Sequence, residues 1–145
     1  MRSVRAFAPA TVANVSCGFD ILGFAIDAMG DIVEVREKKE PGLQVVSITG
    51  DGGRLPFEAE KNTCAVAIQA MLDELGQDVG MEIYLEKGLP LGSGMGSSAA
   101  SAVAALVAAN RLIGEPFEKK QLLPFAMAAE KVACGAGHAD NVAPS

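Results

Sequence analysis

The chain has 145 residues, of which 50% are hydrophobic and 5% aromatic, with no tryptophan, and its formal net charge is -6. Its length suits one domain, and the scarcity of aromatic residues predicts a core of Ala, Val, Leu, Ile and Met. An acidic chain with scattered Lys and Arg binds phosphate backbones poorly, so nucleic acid is excluded as the expected partner.

The cysteines and the apolar segments favour a cytoplasmic protein. Cys17, Cys64 and Cys134 form no C-x-x-C pair and are odd in number, which argues against a disulfide framework and a zinc site. The N-terminus lacks a signal-peptide pattern, and the Ala-rich run at 99–109 is too short to span a membrane. We therefore expect a reduced, cytoplasmic protein without a membrane partner.

Short apolar or alternating runs predict strands in the first half. The runs are broken by Gly30-Asp31, Pro41-Gly42 and Gly50-Asp-Gly-Gly53, and Pro9 ends the first strand or puts it at a sheet edge. Small polar residues predict a loop over Ala10–Asp20, built either for turn chemistry or as a ligand surface. The predicted strands are Ser3–Ala8, Ile21–Ile26, Ile32–Glu37 and Leu43–Ile48.

Helices dominate the second half. Asn62-Thr63 is an N-cap signal, and Gly76 is a stop signal, for a helix over Ala65–Leu75. A half-buried strand at Met81–Lys87 follows, because apolar and polar residues alternate there. The remaining pattern predicts a buried helix at Ala99–Leu112 and a helix from Glu118 to Cys134, kinked or broken just before Pro124.

The stretch Gly88–Ser101 joins the predicted strand to the buried helix and has the features of a phosphate-binding loop. Gly92, Gly94 and Gly96 permit positive φ and close approach of the backbone to a ligand. Ser97 and Ser98 stand where N-cap hydroxyls are expected. Free N–H groups and the positive end of the helix dipole would then meet at one point, which predicts an anion site.

Three glycine-rich phosphate motifs compete for this stretch. A Walker A loop is excluded because no Lys follows any of its glycines. A dinucleotide fingerprint is partly met by Gly94-x-Gly96-x-x-Ala99, but the second parallel strand that it requires is replaced by a predicted helix. The third possibility is the loop of a small-molecule kinase family.

Leu89–Ala100 resembles the ATP-binding signature of the GHMP small-molecule kinases along its whole length. Pro9–Gly23 and Gly137–Pro144 resemble two further motifs found in the homoserine kinases of that family. The resemblance implies an α+β fold of the ribosomal protein S5 domain 2-like class, with helices on one side of a mixed sheet. The resemblance assigns residues 1–145 to an incomplete N-terminal ATP-binding domain. It also implies that the C-terminal ferredoxin-like domain of the family is absent from these 145 residues.

The implied activity is ATP-dependent phosphorylation of the homoserine side-chain hydroxyl, with Mg2+ as cofactor. Ser98 and Glu130 would ligate the metal, although Glu130 could instead be a surface residue beside Lys131. The resemblance assigns homoserine contacts to Asn14, Asp20, His138 and Asn141, and catalytic roles to Glu130, Asn141 and, as a possible base, Asp140. It assigns ATP contacts to Asn62, Lys87, Pro90, Leu91, Gly92, Ser93, Gly94, Met95, Gly96, Ser97, Ser98, Ala99, Ala100 and Ser101.

Several of these residues have an alternative structural role. Asn62 could be only an N-cap, Lys87 only a solvated strand end, and His138 only a hydrogen-bonding residue in a loop. The resemblance is weakest at Val15-Ser16-Cys17, where the family usually has Leu-Gly and a small residue.

The chain ends at Ser145, before the part that carries the expected carboxylate-binding arginines, so we expect no useful turnover from it alone. An uncovered sheet edge predicts a homodimer or a swapped oligomer. Two alternatives stay open. One is a GHMP kinase acting on mevalonate or a sugar, and the other is a nucleotide-binding module without catalysis.

Overall fold

The computed structural model describes residues 1–15, 18–93 and 96–134; for 12–15, 18–24, 26–28, 133 and 134 only the backbone is described. The strands in this part of the chain are β1 (Ser3–Val15), β2 (Gly18–Lys38), β3 (Gly42–Thr49) and β4 (Gly80–Glu86). The helices are α1 (Thr63–Leu75), α2 (Ser97–Leu112) and α3 (Lys119–Cys134).

The four strands form one mixed sheet in the order β1-β2-β4-β3. β2 is antiparallel to both β1 and β4, whereas β3 and β4 are parallel and connected through α1. β1 and β3 are therefore the two edges of the described sheet. The predicted combination of α+β class and mixed sheet is confirmed.

The two faces of the sheet differ in polarity because side chains alternate along each strand. Val33, Val35 and Ile83 are fully buried under the helices. On the opposite face, the Arg36 guanidinium lies 4.2 Å from the centroid of the Tyr84 ring. α2 packs on β1 and β2, while α1 and α3 pack against α2, so the helices cover one side of the sheet.

The ends of α1 form as the sequence predicts. The Asn62 side chain accepts a hydrogen bond from Cys64 N, and Gly76 closes the helix in the left-handed conformation with φ 63°. These bonds satisfy backbone groups that a helix cannot pair internally.

α2 is the central helix, and its alanines make this position possible. It is buried on the side toward the sheet and on the side toward α1 and α3. Small side chains let the neighbouring elements approach it from both directions, as at Ala99, Ala104 and Ala108, which are fully buried. The N-terminus of this helix is consequently held from several sides.

Two predictions for the N-terminal half are wrong. Within the predicted loop Ala10–Asp20, residues 10–15 belong to β1 and residues 18–20 to β2, while residues 16 and 17 lie outside the described residues. The edge role of Pro9 explains the continuation, since an edge strand tolerates the missing N–H. Gly30-Asp31 does not break β2 either; the strand passes through with a register shift opposite Pro9 and Ala10.

Gly30 has a packing role rather than a turn role. A Cβ at this position would lie 2.1 Å from the Ala8 carbonyl oxygen, which no side chain tolerates. The signal that predicted a turn therefore marks a close approach of two backbones.

The predicted break before Pro124 does not occur, because α3 is continuous from Lys119 to Cys134. The helix starts with bonds in both directions between Glu118 and Gln121. Pro124 lies in the second turn, where its missing N–H removes a single bond to the first turn.

Candidate active site

The phosphate-loop stretch enters α2 through glycines in the left-handed conformation. Gly92 has φ 70° and Gly96 has φ 68°, as the sequence predicts. The predicted capping by Ser97 or Ser98 is wrong: the N-cap is Gly96, without a side-chain cap, and both serines belong to the first turn. A positive φ at the cap position favours glycine over serine. The N–H groups of that turn are therefore left without a capping side chain.

Ser97 contributes a second ligand-binding feature at this helix end. Its side-chain oxygen is buried and has no hydrogen-bond partner among the described residues. Buried hydroxyls rarely lack a partner in native proteins. Together with the uncapped N–H groups and the helix dipole, this hydroxyl makes the start of α2 suitable for a phosphate.

Ser98 and Glu130 meet beside this helix end. The Ser98 hydroxyl donates a 2.8 Å hydrogen bond to Glu130 Oε1. Glu130 lies on α3 and is 7% exposed, so the alternative of a surface residue is wrong. Hydroxyl and carboxylate oxygens are the donors that Mg2+ prefers, and these two residues therefore fit the expected metal.

A buried ion pair lies beneath the loop. Lys87 Nζ is 2.5 Å from Asp31 Oδ2, and the two side chains are 1% and 0% exposed. The alternative of Lys87 as a solvated strand end is wrong. Asp31 was missed by the sequence interpretation, since Gly30-Asp31 has the composition of a turn and the two partners are 56 residues apart.

The Lys87 ammonium directs its N–H groups into the protein. Besides Asp31, it donates to the Ser97 carbonyl oxygen at 2.8 Å and to Ser101 Oγ at 2.9 Å. An ammonium has three N–H groups, so this set of contacts is complete without a nucleotide.

Asn62 is buried at the start of α1, with both ends of its amide engaged. Oδ1 accepts from Cys64 N at 3.0 Å, and Nδ2 donates to the Pro56 carbonyl oxygen at 2.9 Å. The N-cap role is confirmed. The neighbouring Cys64 thiol donates to the Ser101 carbonyl oxygen, and burial raises the pKa of Cys64 to about 12.

The other predicted site residues fall into three groups. Pro90, Leu91 and Ser93 lie in the loop, and Ala99 and Ala100 are buried in α2. The backbones of Asn14 and Asp20 lie on β1 and β2, near the paired strand ends Val15 and Gly18. Outside the described residues lie Gly94, Met95, His138, Asp140 and Asn141.

Two further features are missing from the described ranges. No cluster of three or more His, Cys, Asp or Glu side chains there could hold a metal ion. None of the helices in the same ranges has both the length and the apolar character needed to cross a bilayer.

The mixed sheet and the start of α2, where left-handed Gly96 is the N-cap and no side chain caps the helix, are the features that define a class of kinase domain. The sequence matches the GHMP kinases N terminal domain over residues 62–145, and the chain belongs to this family. The resemblance carried by Leu89–Ala100 is thereby confirmed.

Within the family, the chain is similar to homoserine kinases. It is 54% identical to one from Chlorobium phaeovibrioides, across 100% of this chain and 48% of that protein. The crystal structure of homoserine kinase from Cytophaga hutchinsonii is 58% identical, with a TM-score of 0.95 over 99% of this chain and 46% of the other. The Methanococcus jannaschii mevalonate kinase shares the fold, at 16% identity and a TM-score of 0.70. The chain spans about half the length of the curated relatives it matches.

Proposed function

We propose that the protein transfers the γ-phosphoryl group of ATP to the side-chain hydroxyl of homoserine, a step of threonine biosynthesis. The identity of 54–58% to homoserine kinases supports this acceptor over mevalonate, since the mevalonate kinase is only 16% identical. The observation that carries the phosphoryl-transfer chemistry is the Ser98–Glu130 pair at the uncapped start of α2.

The loop and the first turn of α2 would hold the ATP phosphates. Backbone N–H groups and the Ser97 hydroxyl are donors for phosphate oxygens, and the helix dipole adds favourable potential. Phosphoryl transfer depends mainly on positioning and charge stabilisation, which this arrangement supplies. Ser98 and Glu130 would hold Mg2+, which neutralises phosphate charge when bound.

The homoserine contacts are proposed from the motif resemblance. Asp20 would bind the amino group and Asn141 the reacting hydroxyl, with Asn14 and His138 completing the contacts. Asp140 is a candidate to accept the proton that the hydroxyl loses on attacking the γ-phosphorus, as the bond to the ADP oxygen breaks. Pairing of β1 with β2 brings the Asn14 and Asp20 segments to one end of the sheet, which supports a common role.

The test uses the full-length gene product, in an ATP titration followed by an ADP-release screen with homoserine, mevalonate and galactose. We expect turnover with homoserine and a loss of roughly 100-fold in kcat for Glu130→Gln. Glu118→Gln, at an exposed position before α3, is the matched control. Turnover with mevalonate or galactose would identify the protein as a different GHMP kinase. ATP binding without ADP release in the presence of any of the three acceptors would identify it as a non-catalytic module.

The state of the chain in the cell and in solution is also a proposal. Because the relatives are about twice as long, we expect at most weak ATP binding and no useful turnover from the 145-residue chain alone. We expect a homodimer or swapped oligomer, because β1 and β3 end the described sheet. We expect a cytoplasmic location, because the cysteines show no disulfide pattern. Sedimentation of the 145-residue chain as a monomer at high concentration would contradict the assembly.

A further inference from the structure

We propose that Asp31, Lys87 and Ser101, named here the buried anchor, are positioning residues that set the ATP phosphates by fixing the two ends of the phosphate loop. This inference rests on the proposed function and deepens it. The anchor side chains reach both sides of the loop, and their role does not require contact with the nucleotide.

Asp31 holds the end of the loop that leaves β4. Its Oδ1 accepts hydrogen bonds from Gly88 N at 2.9 Å and Leu89 N at 3.2 Å. Gly88 and Leu89 are the two residues that follow Lys87 in the chain, directly after the end of β4. The direction of the chain as it enters the loop is therefore set by one carboxylate oxygen.

The other carboxylate oxygen and the ammonium hold the end of the loop that enters α2. Asp31 Oδ2 accepts from Ser101 Oγ at 2.7 Å and from Lys87 Nζ. Lys87 Nζ also donates to the carbonyl oxygen of Ser97 at 2.8 Å. Since Ser97 is the first residue of α2, the helix N-terminus is bonded to the same charge pair that holds Gly88.

The backbone around Lys87 leaves no room for adjustment. Lys87 N donates to the Thr49 carbonyl oxygen at 2.8 Å. A Cβ on Gly50 would lie 2.3 Å from the Lys87 carbonyl oxygen, and one on Gly88 would lie 1.9 Å from that of Gly30. Two segments, one at Thr49-Gly50 and one at Gly30, thus contact the strand end from which the ammonium extends and restrict its position.

A buried ion pair is by itself weak evidence for stability, because an apolar pair of similar volume often stabilises a core equally well. An apolar pair, however, cannot orient Gly88 N, Leu89 N and the Ser97 carbonyl together. Directional bonds do this, and phosphoryl transfer is sensitive to misplacement on the scale of about 1 Å. The geometry therefore favours positioning over simple stabilisation.

The decisive variant is Asp31→Asn/Lys87→Met in the full-length gene product. The new amide oxygen can still accept from Gly88 N and Leu89 N, and no unpaired charge is left in the core, whereas the bond to the Ser97 carbonyl is lost. We expect a urea midpoint close to wild type, a KM for ATP raised about 10-fold or more, and an unchanged KM for homoserine. Ser101→Ala, which removes only the bridging hydroxyl, should raise the KM for ATP by a smaller factor.

The matched control is Arg5→Met/Glu86→Gln, which neutralises an ion pair whose side chains are 56% and 55% exposed. We expect less than a two-fold change in either KM, because such surface pairs contribute little. Wild-type ATP affinity in the double anchor variant would overturn the inference. If that variant fails to fold, wild-type ATP affinity in Ser101→Ala would do so. A wild-type protein that binds no ATP would overturn the proposed function as well.

Discussion

Asn62→Ala removes two hydrogen bonds at the start of α1, and its cost can be worked from the structure. Loss of the N-cap bond from Cys64 N costs about 1 kcal/mol, and loss of the buried hydrogen bond to the Pro56 carbonyl oxygen adds about 1 kcal/mol. For a chain of this size, about 2 kcal/mol corresponds to a fall in Tm of roughly 4–8 °C. Thermal unfolding followed by far-ultraviolet circular dichroism measures this shift.

Asn62→Asp separates the cap from the second bond. Its carboxylate can accept from Cys64 N, and a negative charge suits a helix N-terminus, but it cannot donate to the Pro56 carbonyl. We expect about half of the fall in Tm seen for Asn62→Ala, because one of the two hydrogen bonds is kept. An unchanged Tm together with a loss of ATP affinity in Asn62→Ala would refute this reasoning, because it would make Asn62 a nucleotide contact and not a cap.

Three further predictions concern stability and reactivity. Gly88→Ala should destabilise by at least about 2 kcal/mol through the backbone clash, and Gly92→Ala, in open space, by about 1 kcal/mol from its positive φ alone; equal urea midpoints would contradict this. The buried Cys64 thiol should resist alkylation by iodoacetamide in the native protein. The free energy of unfolding should fall as the pH rises from 9.0 toward about 12, because in this pH range the thiol ionises only in the unfolded chain. Hydrogen bonds from backbone N–H groups, first that of Leu55, lower the pKa of Asp51 below its ordinary value of 3.8. The Asp51 carboxylate therefore stabilises the fold at pH values above 3.8, and this contribution is lost as the pH falls. In Asp51→Asn, the urea midpoint should fall less steeply with decreasing pH than in the wild type.

Features with a local cause were predictable from the sequence. The cap at Asn62, the stop at Gly76 and the positive φ of Gly92 each depend on one residue and its immediate neighbours. The match of Leu89–Ala100 to the family was equally direct, because the motif is continuous in the chain.

Features that join distant segments were not predictable. Gly30 was interpreted as a turn because a glycine required by packing and one required by a turn look the same in a single sequence. Asp31 lies on β2 and Lys87 directly follows β4, and only the antiparallel register of those strands brings the two residues together. Ser98 and Glu130 were paired through the resemblance alone, since no local pattern connects α2 to α3.

The stacking of Arg36 on Tyr84 has a spectroscopic consequence. Tyr84 is the chain's only tyrosine, and there is no tryptophan, so intrinsic fluorescence comes from the sheet face turned away from the helices. The Tyr84 hydroxyl donates a hydrogen bond to Glu82 on the same face, and this bond raises the pKa of the phenol. Tyrosine emission should therefore change when the sheet unfolds and should not change when a ligand binds at the start of α2. Detecting that binding by fluorescence needs an introduced fluorophore.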